Sequence, residues 1–224
     1  MSVNVKYYNG KFMMKKIFLT LIALSFLMTQ SMADSIEKSL IPQTDTIDKS
    51  LIMQIETYLN GITALVAEFT QITPTSDPVK GKIWLKRSSV KGGKMRLDYE
   101  PRMQQRVIAR DGQLFVYDLT DKTDPLPQSL SNMPAAFILQ NSISLKDVDV
   151  KEIYKSPDGR HLVLRLSSPA DLTLTFSLYE NGNIKDLTGW VLIDQQGQEI
   201  VVQLTKVNVN DPSLTPDSLF VAPF

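Results

Sequence analysis

The chain has 224 residues, 43% of them hydrophobic, with 24 Lys+Arg balanced by 24 Asp+Glu. A formal charge of zero gives no electrostatic reason to expect nucleic acid, which needs concentrated positive charge, and the apolar content feeds a core without reaching that of a multi-span membrane protein. There is no cysteine and one histidine, His161, which excludes disulfides, thiol catalysis, an acylated N-terminal cysteine and zinc sites of the common N/S type. Neither a metal nor a cofactor is expected.

In chain order, Met13-Met14-Lys15-Lys16 precedes the apolar run IFLTLIALSFLM, and Ser31-Met32-Ala33 then offers small residues where a peptidase reads. The run falls short of the roughly 20 residues that span a bilayer, so residues 1–33 are expected to be a cleaved secretory signal, with Met14 as a candidate true start. Residues 34–50 are polar and mixed and read as a flexible arm. A single domain is expected over 51–224.

From Leu51 to Phe69 the apolar residues Leu51, Ile52, Ile55, Leu59, Ile62, Leu65, Val66 and Phe69 recur at three and four. That spacing predicts one long N-terminal helix, bent or broken near Gly61, with a loop over Thr73–Pro78. Gly81 to Asp118 predicts four strands. Ile83 and Leu85 alternate with Lys82 and Lys86; Met95, Leu97 and Tyr99 with Lys94, Arg96 and Asp98; Val107 and Ala109 with Arg106 and Arg110; Leu114–Tyr117 closes the set. Lys91-Gly92-Gly93 and Asp111-Gly112 suit tight turns, the latter a hairpin of the I′ kind.

Pro125 and Pro127 oppose a strand, and Pro134–Leu139 reads as a short helix with proline in its first turn. This segment is either a core plug or a movable cover. Strands then return at Val148–Tyr154, His161–Ser168, Leu172–Tyr179, Lys185–Ile193 and Glu199–Asn208, between strong turn signals. The expectation is nine to eleven strands in one up-and-down array, with the helical stripe against one sheet face.

Phe69-Thr70-Gln71, Gly81-Lys82-Ile83-Trp84-Leu85-Lys86-Arg87, Arg96–Pro101, Asp111-Gly112 before Leu114–Asp118, and the proline-led helix occur in an order that resembles the periplasmic outer-membrane lipoprotein carrier family (LolA). The resemblance runs from that first motif to Phe220. It implies a mainly β fold with helices: an unclosed, curved antiparallel half-barrel, with a long N-terminal helix and short lid helices over an apolar cavity. It further implies a monomeric periplasmic carrier without covalent chemistry. Such a carrier takes the acyl chains of lipoproteins from an inner-membrane lipoprotein-releasing transporter and delivers them to an outer-membrane acceptor or to the outer membrane itself.

By itself Arg87 reads as an exposed arginine at a strand end. The resemblance gives it the role of a lid latch on the backbone near Ile138 and Leu139, whose carbonyls a five-donor guanidinium can meet. Candidate walls for acyl chains are Ile83, Leu85, Met95, Leu97, Val107, Leu114, Val116, Phe137, Ile138, Leu174 and Phe176, although their parity describes a plain core equally well. Arg96 reads as structural on a solvated face, and Trp84 as packing. Ser88 stands where the family usually has a proline, and the chain stops soon after a strand expected to contain Phe220. Some members continue into a further strand, so direct delivery to the outer membrane stays open. Two other readings remain: a related-fold envelope sensor of lipid or lipoprotein, and a periplasmic hydrolase. The latter would have to use His161, and no Gly-x-Ser-x-Gly supports it.

Overall fold

The computed structural model describes residues 48–87, 92–131, 133–146, 148–167, 171–193 and 197–224. The expected signal, most of the arm, and Ser88 lie outside these residues.

Helix α1 spans Lys49–Gly61, with Asp48 as its N-cap accepting from Ser50 N–H at 2.8 Å. That side chain satisfies one of the orphan donors of the first turn. The helix ends where Ile62 turns extended, and Ala64–Thr73 is strand β1. The long helix expected through Phe69 is therefore corrected to a helix and a strand. Ala64, Leu65, Val66 and Ala67 are all buried, so this part of β1 is apolar on both faces. A strand buried on both sides loses its alternation, and its apolar residues then also match helical spacing. The loop expected at Thr73–Pro78 is likewise a tight turn into β2, Ser76–Lys86.

Next come β3 (Lys94–Tyr99), β4 (Gln105–Arg110), β5 (Gln113–Asp118) and the two-residue β6 (Gln128–Ser129). Asp111 at φ 52° and Gly112 at φ 74° make the β4–β5 turn the doubly left-handed kind the sequence called for. A short helix, α2 (Pro134–Ile138), precedes β7 (Val150–Lys155), β8 (His161–Leu166), β9 (Leu172–Leu178), β10 (Ile184–Ile193) and β11 (Glu199–Val209). Two 3-10 turns follow, Pro212–Leu214 and Asp217–Phe220, so Phe220 is in a 3-10 turn rather than a strand.

The eleven strands among the described residues form one antiparallel sheet in the order β6-β5-β4-β3-β2-β1-β11-β10-β9-β8-β7. The sheet is not one continuous meander. Two meanders are joined at the centre by β1 against β11, with Leu65 opposite Val209 and Ile72 opposite Val201. The edges are β6 and β7, which do not pair with each other, so the curved sheet is an unclosed half-barrel. The chain between those edges, carrying α2, crosses the concave face, and α1 lies on the same face through Ile55 and Leu59.

Candidate functional site

Register places the wall residues in rows. Leu85, Met95, Ala109 and Leu114 oppose one another across β2 to β5, and Ile83, Leu97, Val107 and Val116 form the next row. In the other meander Leu174 lies opposite Leu164 and Trp190, and Phe176 opposite Leu162 and Leu187. Together with Phe137 and Ile138 of α2 they belong to, or pack against, one contiguous apolar cluster. Leu97, Val116 and Ile138 are half-buried and the remaining wall residues buried. The cluster is completed by Ile55 and Leu59 of α1 and by Leu130, Leu139, Ile143 and Leu145. The concave face is thus apolar and lies beneath a cover made of α1, α2 and the segment that follows α2.

Arg87 sits where the cover meets the sheet. Its backbone N–H donates to Thr63 O at 2.8 Å. Its Nε and one terminal nitrogen donate to Ile138 O at 3.0 and 2.7 Å, and the other terminal nitrogen donates to Leu59 O at 2.5 Å. Each acceptor is in the last turn of a helix, where carbonyls lack intrahelical partners and carry partial negative charge. One planar cation therefore bridges the C-terminal ends of α1 and α2. Burial pushes the guanidinium down to about 10, which leaves it charged at neutral pH.

Leu139, expected beside the latch, is held differently: its carbonyl accepts from Gly93 N–H at 2.9 Å. A Cβ at position 93 would fall 2.8 Å from Leu139 O and 3.0 Å from its Cα, so this approach requires glycine. The sequence had shown Gly93 only as part of a turn.

The cover's other attachment was not visible in the sequence. The Asn60 side chain accepts from Ile143 N–H and donates to Ile143 O, both at 2.8 Å, and Glu56 Oε1 accepts from Leu145 N–H at 2.6 Å. α1 is itself tied to the second meander. Leu187 N–H donates to the Tyr58 hydroxyl at 2.8 Å, and the Tyr58 ring meets Phe176 edge-on at 5.7 Å. Burial raises the Tyr58 phenol to about 12, so it stays protonated. Gln54 adds a bond to Gly182 O at 3.2 Å.

Trp84 and Arg96 alternate onto the convex face. Lys82 Nζ and Arg96 Cζ each lie 5.1 Å from the Trp84 ring centroid. Arg96 is not on a freely solvated face, as the sequence suggested. It binds Asp98 at 2.7 Å and donates to Leu219 O at 3.1 Å, because residues 211–224 fold over this side. Arg106 meets the same carboxylate at 2.7 Å, and Arg110 donates to Phe220 O at 3.1 Å. Asp98 is raised by burial, but the bonds and charges of Arg96 and Arg106 outweigh this and hold it below the ordinary carboxylate range. His161 is a half-exposed residue at the start of β8, 4.0 Å from Asp158. Among the described residues no cluster of three or more His, Cys, Asp or Glu could hold a metal, and no helix is long and apolar enough to cross a membrane.

A family model described as outer membrane lipoprotein carrier protein LolA matches residues 60–221. Compared with curated protein sequences, the chain finds no match. Among solved structures it is similar to a LolA superfamily protein from Nitrosomonas europaea, at 12% identity over 79% of this chain and 98% of that one, TM-score 0.42. A putative outer membrane lipoprotein-sorting protein domain from Vibrio parahaemolyticus matches at 12% identity over 76% and 97%, TM-score 0.47. The lipoprotein LppX of Mycobacterium tuberculosis matches at 9% identity over 73% and 100%, TM-score 0.35.

Proposed function

The chain belongs to the outer membrane lipoprotein carrier (LolA) family, and from that premise we propose that it is an exported, monomeric periplasmic carrier of lipoprotein acyl chains. On this reading residues 1–33 direct export and are removed. The domain over 51–224 receives acyl chains from an inner-membrane releasing transporter and passes them to an outer-membrane acceptor or to the membrane itself. No bond is made or broken. Burial of each acyl CH₂ contributes about 0.8 kcal/mol, so the apolar face alone supplies the driving force once it is uncovered.

The observation that carries the reading is the cation that ties the cover to the edge of the apolar rows of the concave face: Arg87 on Ile138 O and Leu59 O. In the closed state the walls pack against Phe137, Ile138 and Leu139. Loading lifts α2 from the sheet, and the wall residues then line the space that the acyl chains take. Hydrogen bonds from a charged donor are worth roughly 1.5–3 kcal/mol each, which a few buried CH₂ groups offset.

Arg87→Leu tests it. The variant is expected to stay folded, because leucine suits the apolar cluster, but to change lid closure and so block lipoprotein loading or release in a reconstituted transfer assay. Arg87→Lys, which keeps the charge without the planar fork, is expected to fall between the two. Unaltered transfer by Arg87→Leu would overturn the latch. His161→Ala is expected to transfer normally.

A further inference from the structure

Three consecutive residues end α1, and each is fastened to a different part of the molecule. Leu59 O accepts from the Arg87 guanidinium, the Asn60 side chain holds Ile143 of the cover, and Gly61 O accepts from Asn210 Nδ2 at 2.9 Å. Asn210 directly follows β11, the strand of the second meander that meets β1. Its side-chain oxygen also accepts from the Thr63 N–H at 2.8 Å and from the Thr63 hydroxyl at 3.1 Å. Its own N–H donates to Ala64 O at 2.8 Å.

The corner between α1 and β1 is therefore gripped from two sides. Arg87, at the end of β2, donates to the carbonyls of Leu59 and Thr63, while Asn210 takes Gly61 O and the Thr63 N–H. Carbonyls at the end of a helix lack intrahelical partners, so the donors that reach them set where they point. A planar guanidinium serves two carbonyls only while both stay within reach of its fork, and here they are Leu59 O and Ile138 O. The seam does not need this side chain, because β1 already pairs with β11 from Leu65–Val209 to Ile72–Val201. What the amide adds is the placement of the corner. Asn210 has φ 64°, a left-handed conformation that asparagine tolerates better than most residues. A second tie from the same C-terminal segment is weaker. Asp217 Oδ1 meets Lys86 Nζ at 3.2 Å and Lys94 Nζ at 3.0 Å, beside Arg87 and Gly93, but the carboxylate is exposed, where ion pairs contribute little.

We infer that Asn210 is a positioning residue for the latch. It fixes the corner of α1 and β1 against the second meander, so that release of Arg87 frees α2 and leaves α1 in place. The inference rests on the carrier reading for its use in loading, and adds the anchor against which the latch works. Because Asn210 is uncharged, this anchor does not respond to pH.

A double-mutant cycle separates positioning from plain support of the fold. Asn210→Gly removes the amide and leaves the left-handed backbone unstrained, and Arg87→Leu removes the guanidinium. Hydrogen exchange at the Gly93 N–H, bonded to Leu139 O, reads how far the cover opens from the sheet. With Arg87 present, Asn210→Gly is expected to speed this exchange about fivefold, as for two exposed hydrogen bonds at the low end of their usual worth. Once Arg87→Leu has been made, it is expected to add nothing. Asn210→Asp keeps the acceptor for the Thr63 N–H and loses the donor to Gly61 O, so it should fall between; it also carries the cycle if the glycine variant does not fold. The same acceleration with and without Arg87, or none in either, overturns the assignment. Fluorescent fatty acid is expected to enter the variants faster in step with their exchange. A fatty acid that never binds overturns the carrier reading, while the exchange cycle still decides the role of Asn210.

Discussion

The cover is fastened at two places by different means. At residues 138–139 it is held by the sheet, through the Arg87 side chain and the Gly93 N–H. At residues 143–145 it is held by α1, through Asn60 and Glu56, and α1 is in turn bonded to β10 and its turn through Tyr58 and Gln54. The first fastening spans the seam between the cover and the first meander. The second keeps the cover's trailing segment with the helix and the second meander. On the carrier reading the difference predicts where the molecule opens: the seam at 138–139 is expected to part while 143–145 stays in place, with Gln140, Asn141 and Ser142, all exposed, as the stretch that bends.

The strongest way to break this contrast is Gly93→Ala. The added methyl must displace Leu139, and overpacking of this kind costs about 1–3 kcal/mol. Hydrogen exchange is expected to rise over 136–139 while Ile143 and Leu145 keep their protection. Asn60→Ala attacks the other fastening and is expected to cost about 1 kcal/mol, because water can reach this exposed side chain's place. Here Ile143 N–H should lose protection while Gly93 N–H keeps it. If either variant releases both sets of amides together, the cover moves as one rigid piece and the two fastenings are equivalent.

The smallest effect sharpens the contrast from behind the sheet. Asp98 is held below the ordinary carboxylate range in the folded state. Its stabilisation is complete above the unfolded value of about 3.9 and is lost as pH falls through the folded value. Asp98→Asn should therefore flatten the acid limb of an unfolding titration below about pH 4, with no change in exchange at either fastening. A loss of protection at 138–139 on acidification that survives this substitution would place the acid-sensitive group in the cover.

Much of the fold was legible because parity is a local property. The alternation in β2 to β5 and the turn at Asp111-Gly112 follow from neighbours a few residues apart. α1 was misread because the first four residues of β1 are buried on both faces, which erases the alternation that separates a strand from a helix stripe. The pairing of β1 with β11 leaves no local mark, since it depends on residues such as Leu65 and Val209 meeting across the whole chain. At the site, Arg87 and the residues near Ile138 were brought together by family resemblance, because a side chain bound to a carbonyl leaves no pattern in the acceptor's identity. Asn60, Glu56 and Gly93 escaped for the same reason: each works on main-chain atoms. Trp190 was absent from the expected wall, although its register with Leu174 places it there.

The seam between β1 and β11 bears on how the molecule is made. Every other strand pair except this one joins neighbours in the chain, so each meander can assemble from what is already present. The central pair cannot form until residues 199–209 have arrived, and contacts so distant along the polymer are slow to find. A chain delivered from its N-terminus would hold β1 with one long edge bare until the last strand arrives, the interval in which a nascent polypeptide is most prone to aggregate.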